Sequence, residues 1–302
     1  MKIYNWNIEN KLPIDDNLII CLGSFETLHI GHNSLFKIAR DLRNESNTLK
    51  LATIIFKSPI KNGLVANKKA FQLKPRLYTL DKLGFEYVFI VEMDQSKLNL
   101  DYKKFIDTLL LNNVKKIVCG QDFKFGFMKK GTPKILANYF DVKIADEIKA
   151  NKVKISSSLI NEFISEGNIS AINELLIENY SFITFLDHFR FQYPKNLNRL
   201  KNGVYIVNVV IENIEYHGLA LINEQENSDQ EDGNFLNLIY LYDLELIPSK
   251  YSETFIEFLQ KIRQINDKKE IKFKQSDIQI GYQWFIENWK SKHYNVKCNT
   301  QK

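Results

Sequence analysis

Cysteine is scarce in this chain, and the three present, Cys21, Cys119 and Cys298, are far apart and odd in number. That argues against a disulfide framework and for reduced thiols in a cytoplasmic setting. Long apolar runs are missing too. None approaches the roughly 20 residues of a membrane span, and residues 1–13 lack the apolar core of a signal peptide, so neither membrane nor export is expected. There is no long basic block either: the net charge is +5, and lysine pairs such as Lys115-Lys116 and Lys129-Lys130 are scattered. This suits small anionic ligands and does not demand nucleic acid. Proline numbers only six, amid much Lys, Asn and Ile. That composition suggests an AT-driven genome, so substitutions are weighed by chemistry before identity. There is no internal repeat.

What is present has an order. A length of 302 residues suggests two domains. Residues 17 to about 150 alternate strand-like segments (18–22, 51–56, 87–91, 116–119, 142–144) with helix-like ones (33–43, 68–83, 101–112, 132–138). Strands separated by helix-length segments imply βαβ units and a parallel sheet, with ligands at the carboxyl ends of the strands. Two short helices are expected at 157–166 and 169–178. From about 181 the pattern becomes β-rich, at 203–211, 216–222 and 235–242. The polar stretch 223–233 reads as a solvated loop, and 254–265 and 278–289 read as helices. A β-meander with a terminal helix fits a small barrel-like second domain. The expected domains are 1–180 and 181–302.

Three segments carry chemistry. In the first, an apolar strand ends at Gly23, and after a turn His29 and His32 flank Ile30-Gly31 at a helix start. Free N–H groups and the positive end of the helix dipole favour phosphate there, and two histidines three apart share a face. A zinc site is the weaker reading, because no acidic third ligand stands beside the pair. A chance spacing within an ordinary helix start is the plain alternative. In the second, Gly120-Gln121-Asp122-Phe123-Lys124-Phe125-Gly126 follows a strand. Phe123 and Phe125 could wall a flat aromatic ligand, and Asp122 could hold a ribose hydroxyl, a ring N–H or an amino group. The alternative is a hairpin with core phenylalanines. In the third, Ser156-Ser157-Ser158 at a helix start could cradle phosphate or simply cap the helix.

Together these segments resemble the bacterial FAD synthetases, the bifunctional riboflavin kinase/FMN adenylyltransferases. Gly23, Phe25, His29, Gly31 and His32 match that family's first motif. Gly120, Asp122, Phe123, Phe125 and Gly126 match its second, and Ile155, Ser156, Ser157, Ser158 and Ile160 its third. Gly167, Leu175, Leu176 and Tyr180 continue the register, so order and spacing agree over about 160 residues. The resemblance implies a Rossmann-like nucleotidyltransferase domain followed by a riboflavin-kinase-like β-barrel. It implies an enzyme that joins ATP and FMN into FAD and pyrophosphate, with Mg²⁺ bridging the phosphates and no protein metal site. His29 and His32 would serve the α-phosphate and departing pyrophosphate. Gly23, Phe25 and Gly31 would shape the nucleotide turn, and Ser157 and Ser158 would hold the outer phosphates. Asp122, Phe123 and Phe125, and more loosely Phe56 of Phe56-Lys57-Ser58-Pro59, would meet the flavin. The partners are then small molecules; oligomeric state is not legible.

Departures from the pattern carry weight. Glu26 and Thr27 replace an Asp and a Gly, and Thr27 gives up φ freedom. Asn161 stands where the family has an Arg that meets ATP phosphate, which predicts weakened affinity unless Lys154 or Lys129 compensates. In the second half, Tyr193-Pro194-Lys195-Asn196 is one residue short of the family's Gly-x-Pro-Thr-x-Asn and has no threonine. No glycine falls between Asn168 and Asn202 to make a phosphate flap. Asn237 aligns with the kinase's Glu base, and an amide cannot accept a proton. The expectation is therefore a kinase-like fold without kinase chemistry. The rival readings are three: a nucleotidylyltransferase for another acceptor, such as nicotinate mononucleotide or phosphopantetheine; a silent flavin- or nucleotide-binding protein; and a retained bifunctional enzyme.

Overall fold

The computed structural model describes residues 1–298 apart from 47, 59, 62–63, 66–67, 151–152, 224–236 and 244–251. It resolves into two compact units: Met1–Ile160 with Leu175–Glu178, and Asn161–Glu174 with Asn179–Lys302.

The first unit is built on six strands: β1 (Lys2–Asn5), β2 (Asn17–Leu22), β3 (Leu49–Phe56), β4 (Tyr87–Val91), β5 (Val114–Gly120) and β6 (Asp141–Ala145). Their order is β1-β4-β3-β2-β5-β6, and every pairing is parallel. The helices α1 (Ile30–Asn44), α2 (Leu73–Lys82) and α3 (Tyr102–Leu111) lie between the strands in sequence. Leu18, Ile19, Ile20 and Cys21 are all fully buried, as a strand covered on both faces requires. Cys21 packs into one core cluster and Cys119 into the other, on opposite faces of the sheet. Chain order reverses about β2, because β3 lies to one side of it and β5 to the other. The carboxyl end of β2 is thus a topological switch point, where open α/β sheets leave a crevice.

Two further helices, α4 (Ser157–Glu166) and α5 (Ile169–Leu175), follow. The second stops three residues short of the expected end. Instead of continuing the helix, Leu176 bridges to His29, and the Ile177 N–H donates to the Leu28 carbonyl at 2.9 Å.

The second unit is a closed antiparallel barrel of β7 (Ser181–Asp187), β8 (Arg190–Phe191), β9 (Gly203–Ile211), β10 (Ile214–Ile222), β11 (Asn237–Leu241) and β12 (Ser252–Gln264), in the order β7-β8-β11-β10-β9-β12. The turn joining β9 to β10 has positive φ at both Glu212 (51°) and Asn213 (67°), the signature of a type I′ hairpin. A long helix, α6 (Gln275–Cys298), follows the barrel.

One expectation fails here. Residues 254–265 were expected to be helical and form β12 instead. Its Glu, Leu, Gln and Lys residues favour helix, but the burial alternates: Thr254, Ile256 and Phe258 are buried between more exposed neighbours. Barrel closure decides the matter, because β12 pairs with β7 on one side and β9 on the other. Of the expected strand 235–242, residues 237–241 form β11 and 235–236 lie outside the described residues, as do 224–233 of the expected loop.

Candidate active site

The first motif sits at the carboxyl end of β2. Phe25 has φ 44°, a strained value for a residue with a bulky side chain. Its ring is fully buried and lies over Gly23, where a Cβ would stand 2.8 Å from the ring carbons. Arg76, itself buried, secures this turn. It donates through Nη1 to the Phe25 carbonyl at 3.1 Å and through Nη2 to the Phe56 carbonyl at 2.9 Å. One guanidinium thus ties the ends of β2 and β3.

His29 does not lie inside α1 but caps it. Its Nδ1 accepts the His32 backbone N–H at 3.2 Å. His32 Nδ1 sits 2.7 Å from the Thr27 carbonyl, which also accepts the His29 N–H at 3.0 Å. These bonds assign the tautomers. His29, accepting at Nδ1, carries its proton on Nε2. His32, donating from Nδ1, carries a lone pair on Nε2. The rings stack with centroids 3.6 Å apart and planes at 16°. Among the described residues, neither Nε2 has a hydrogen-bond partner. Burial lowers both pKa values. His29 falls to about 4, with the charge of Lys154 adding to the effect, and His32 falls well below its ordinary value, with His29 adding to it. Near neutral pH the pair is uncharged, one Nε2 a donor and the other an acceptor. Gly31 makes the packing possible, since a Cβ there would meet His29 Nδ1 at 3.0 Å.

The third motif meets the first. Ser156 caps α4, its Oγ accepting the Leu159 N–H at 3.3 Å. Ser157 brings its hydroxyl to 3.0 Å from the Thr27 hydroxyl, and Ser158 is exposed beside it. Helix geometry supplies no intrahelical acceptor to the amides of that first turn. Thr27 does not have positive φ, so the lost glycine freedom has no consequence there.

The second motif follows β5. Phe123 and Phe125 are half-buried and stack at 5.7 Å, with Phe125 also against Phe105. Phe125 and Gly131 exchange backbone hydrogen bonds, closing 125–131 as a hairpin-like loop. Asp122 is exposed and paired: Lys154 Nζ lies 2.5 Å from it and 2.8 Å from Glu147. Those carboxylates, Asp122 first, hold Lys154 in its charged form. Phe56 ends β3, partly buried against the core. Pro59, the last residue of the Phe56 segment, lies outside the described residues. Asn161 is engaged as well, accepting from the Asn198 amide.

In the barrel, Asn237 is completely buried. Its Oδ1 accepts the Asn223 N–H at 3.1 Å, and its Nδ2 donates to the Phe191 carbonyl at 3.2 Å. Phe182, Tyr205 and Phe258, all fully buried, form an aromatic cluster with Tyr180 and Tyr193.

Sequence reasoning missed Arg76, the role of Thr27 as a hub, and His29 as a cap. Arg76 gave no signal, since an arginine on an amphipathic helix reads as solvent-facing. Thr27 stands inside the motif, but its contact with Ser157, 130 residues away, leaves no local pattern there.

The fold is thus a parallel α/β sheet with paired imidazoles and a serine-bearing helix start beside its switch point, followed in the chain by a closed barrel. Comparison with known proteins follows the same segments. Residues 11–159 match the family model described as FAD synthetase, which makes that stretch an FAD synthetase domain and the chain an enzyme. It is 29% identical over 314 residues to the bifunctional riboflavin kinase/FMN adenylyltransferase of Buchnera aphidicola (Acyrthosiphon pisum), covering 94% of this chain and 98% of that one. It is 24% identical over 294 residues to the protein of that description from Haemophilus influenzae, covering 89% and 92%. A crystal structure described as a macrolide-efflux protein from Streptococcus pneumoniae superposes with a TM-score of 0.75 over 95% of this chain and 97% of that one. At 22% identity it speaks for the fold alone.

Proposed function

We propose that the chain adenylates FMN. A terminal phosphate oxygen of FMN attacks the α-phosphorus of ATP, the bond to the pyrophosphate oxygen breaks, and FAD and pyrophosphate leave. One observation carries this reading: the stacked His29–His32 pair at the end of β2, each Nδ1 committed to backbone and each Nε2 left for a ligand. The attacking phosphate is already anionic, so no general base is needed, and catalysis reduces to positioning and charge neutralisation. The triphosphate's charge opposes the burial that keeps the imidazoles neutral. His29 donates from Nε2 as it stands, while His32 takes up a proton at Nε2 and then donates too. Preorganised donors of this kind lower the barrier by several kcal/mol.

Ser157 and Ser158 at the start of α4 hold the outer phosphates. Gly23, Phe25 and Gly31 shape the backbone against which the nucleotide lies. Phe123, Phe125 and Phe56 take the flavin, with Asp122 exchanging Lys154 for a ligand group. Mg²⁺ would accompany ATP as its counter-ion.

Residues 1–180 carry this reaction, and residues 181–302 form a barrel that has lost riboflavin kinase chemistry. The amide of Asn237, at the position of the kinase base, is spent on two backbone groups. The barrel remains as structural support. The test is incubation with MgATP and either FMN or riboflavin, followed by chromatographic identification of the flavin. FAD forms from FMN, and riboflavin stays unphosphorylated. FMN formed from riboflavin would overturn the reading of the barrel, and FAD absent from the FMN reaction would overturn the reading of the first domain.

A further inference from the structure

We infer that Thr27 is a positioning residue that couples the histidine pair to the serine-bearing start of α4. The inference rests on the adenylyl-transfer reading above and deepens it. Thr27 is fully buried between the two segments. Its carbonyl accepts from both the His29 N–H and His32 Nδ1, so both oxygen lone pairs serve the imidazole cluster. Its hydroxyl meets that of Ser157, 130 residues away in sequence. A glycine at this position, as the motif resemblance would have it, keeps the carbonyl contacts and has no hydroxyl to offer. The side chain of Thr27 therefore adds a cross-link that the backbone alone cannot supply. It fixes where the first turn of α4 stands relative to the two Nε2 atoms, before any phosphate arrives.

Order set in the free protein is entropy not lost on binding. The hydroxyl pair therefore acts on ATP affinity, while the tautomer of His32, set by the carbonyl, is untouched by a side-chain change. This separates the role from mere support of the core. Removing the hydroxyl raises the KM for ATP and leaves kcat and the KM for FMN nearly unchanged.

The test is a double-mutant cycle read in the Kd for ATP by equilibrium binding without acceptor, on the full chain. Thr27→Val, which keeps the shape, weakens ATP about five- to tenfold, in line with one hydrogen bond of about 1–1.5 kcal/mol. Thr27→Ser restores affinity to within about twofold. Ser157→Ala costs less when combined with Thr27→Val than alone, because the shared bond is already gone. Independent, multiplying effects would overturn the inference, as would Thr27→Val binding ATP like the unaltered protein or Thr27→Ser failing to rescue. Thr27→Ala carries the same comparison should the valine variant not fold. Because the cycle reads ATP alone, its outcome is separate from whether the unaltered protein forms FAD.

Discussion

Arg76 donates to the carbonyl of Phe25 at 3.1 Å, placing a buried cation under the one residue of the first motif with left-handed backbone. A strained φ persists only where its surroundings over-determine it, and here the guanidinium does so while also holding Phe56. Arg76→Met removes both donations and leaves two carbonyls short of a partner. The expected loss is about 2–4 kcal/mol of unfolding free energy, measured by urea denaturation. A change below about 0.5 kcal/mol would show that the strand ends do not depend on the clamp.

Stability depends on pH through the histidine pair. The folded pKa of His29 is about 4 against an ordinary 6.5, and that of His32 is also lowered, both chiefly by burial. Below pH 6.5 the unfolded chain therefore binds protons that the folded chain refuses. The stabilising contribution is complete above pH 6.5 and is lost as pH falls toward 4. Each histidine adds up to about 1.4 kcal/mol per pH unit to the slope. Lys154, the charged group acting on His29, reinforces this by keeping His29 neutral. His29→Gln/His32→Gln should flatten the dependence between pH 6.5 and 4.5, as read by thermal denaturation across buffers. An unchanged slope would contradict the assignment.

Gly31→Ala separates stability from activity. Alanine is better than glycine in a helix by about 1 kcal/mol, so the melting temperature should hold or rise. The added Cβ presses on the His29 ring, which must give by a few tenths of an ångström. Misplacement on that scale should lower kcat/KM for ATP at least about tenfold. Steady-state kinetics beside a melting curve checks both halves, and wild-type activity would show that the ring tolerates the shift.

Asn237→Asp tests the buried amide of the barrel. A carboxylate can still accept from the Asn223 N–H but cannot donate to the Phe191 carbonyl, and burial disfavours its charge. The variant should lose about 2–3 kcal/mol at pH 7 and recover part of it at pH 4–5, where the acid regains a proton to donate. Denaturation at the two pH values reads the difference; equal losses would mean the amide donor is unimportant.

The central strands were legible because doubly covered parallel strands are continuous apolar runs, as at 18–22 and 87–91. β1 was not, since Lys2–Asn5 is an edge strand with mostly exposed side chains and pairs only with β4. β12 was misread because its composition favours helix while its pairing on both edges demands strand. At the site, residue types and spacing gave the segments. Their connections through Thr27, Arg76 and Lys154 could not be read, because contacts between residues up to 130 positions apart leave no local pattern.

The most direct measurement is the single-turnover rate of FAD formation from FMN and MgATP by His32→Asn beside the unaltered chain. Asparagine is close in size and keeps a donor toward the Thr27 carbonyl, but it cannot take up a proton at Nε2. The rate should fall by about 10²–10³ with flavin binding intact. A variant within threefold of the unaltered rate would contradict the claim that this imidazole meets the transferring phosphate.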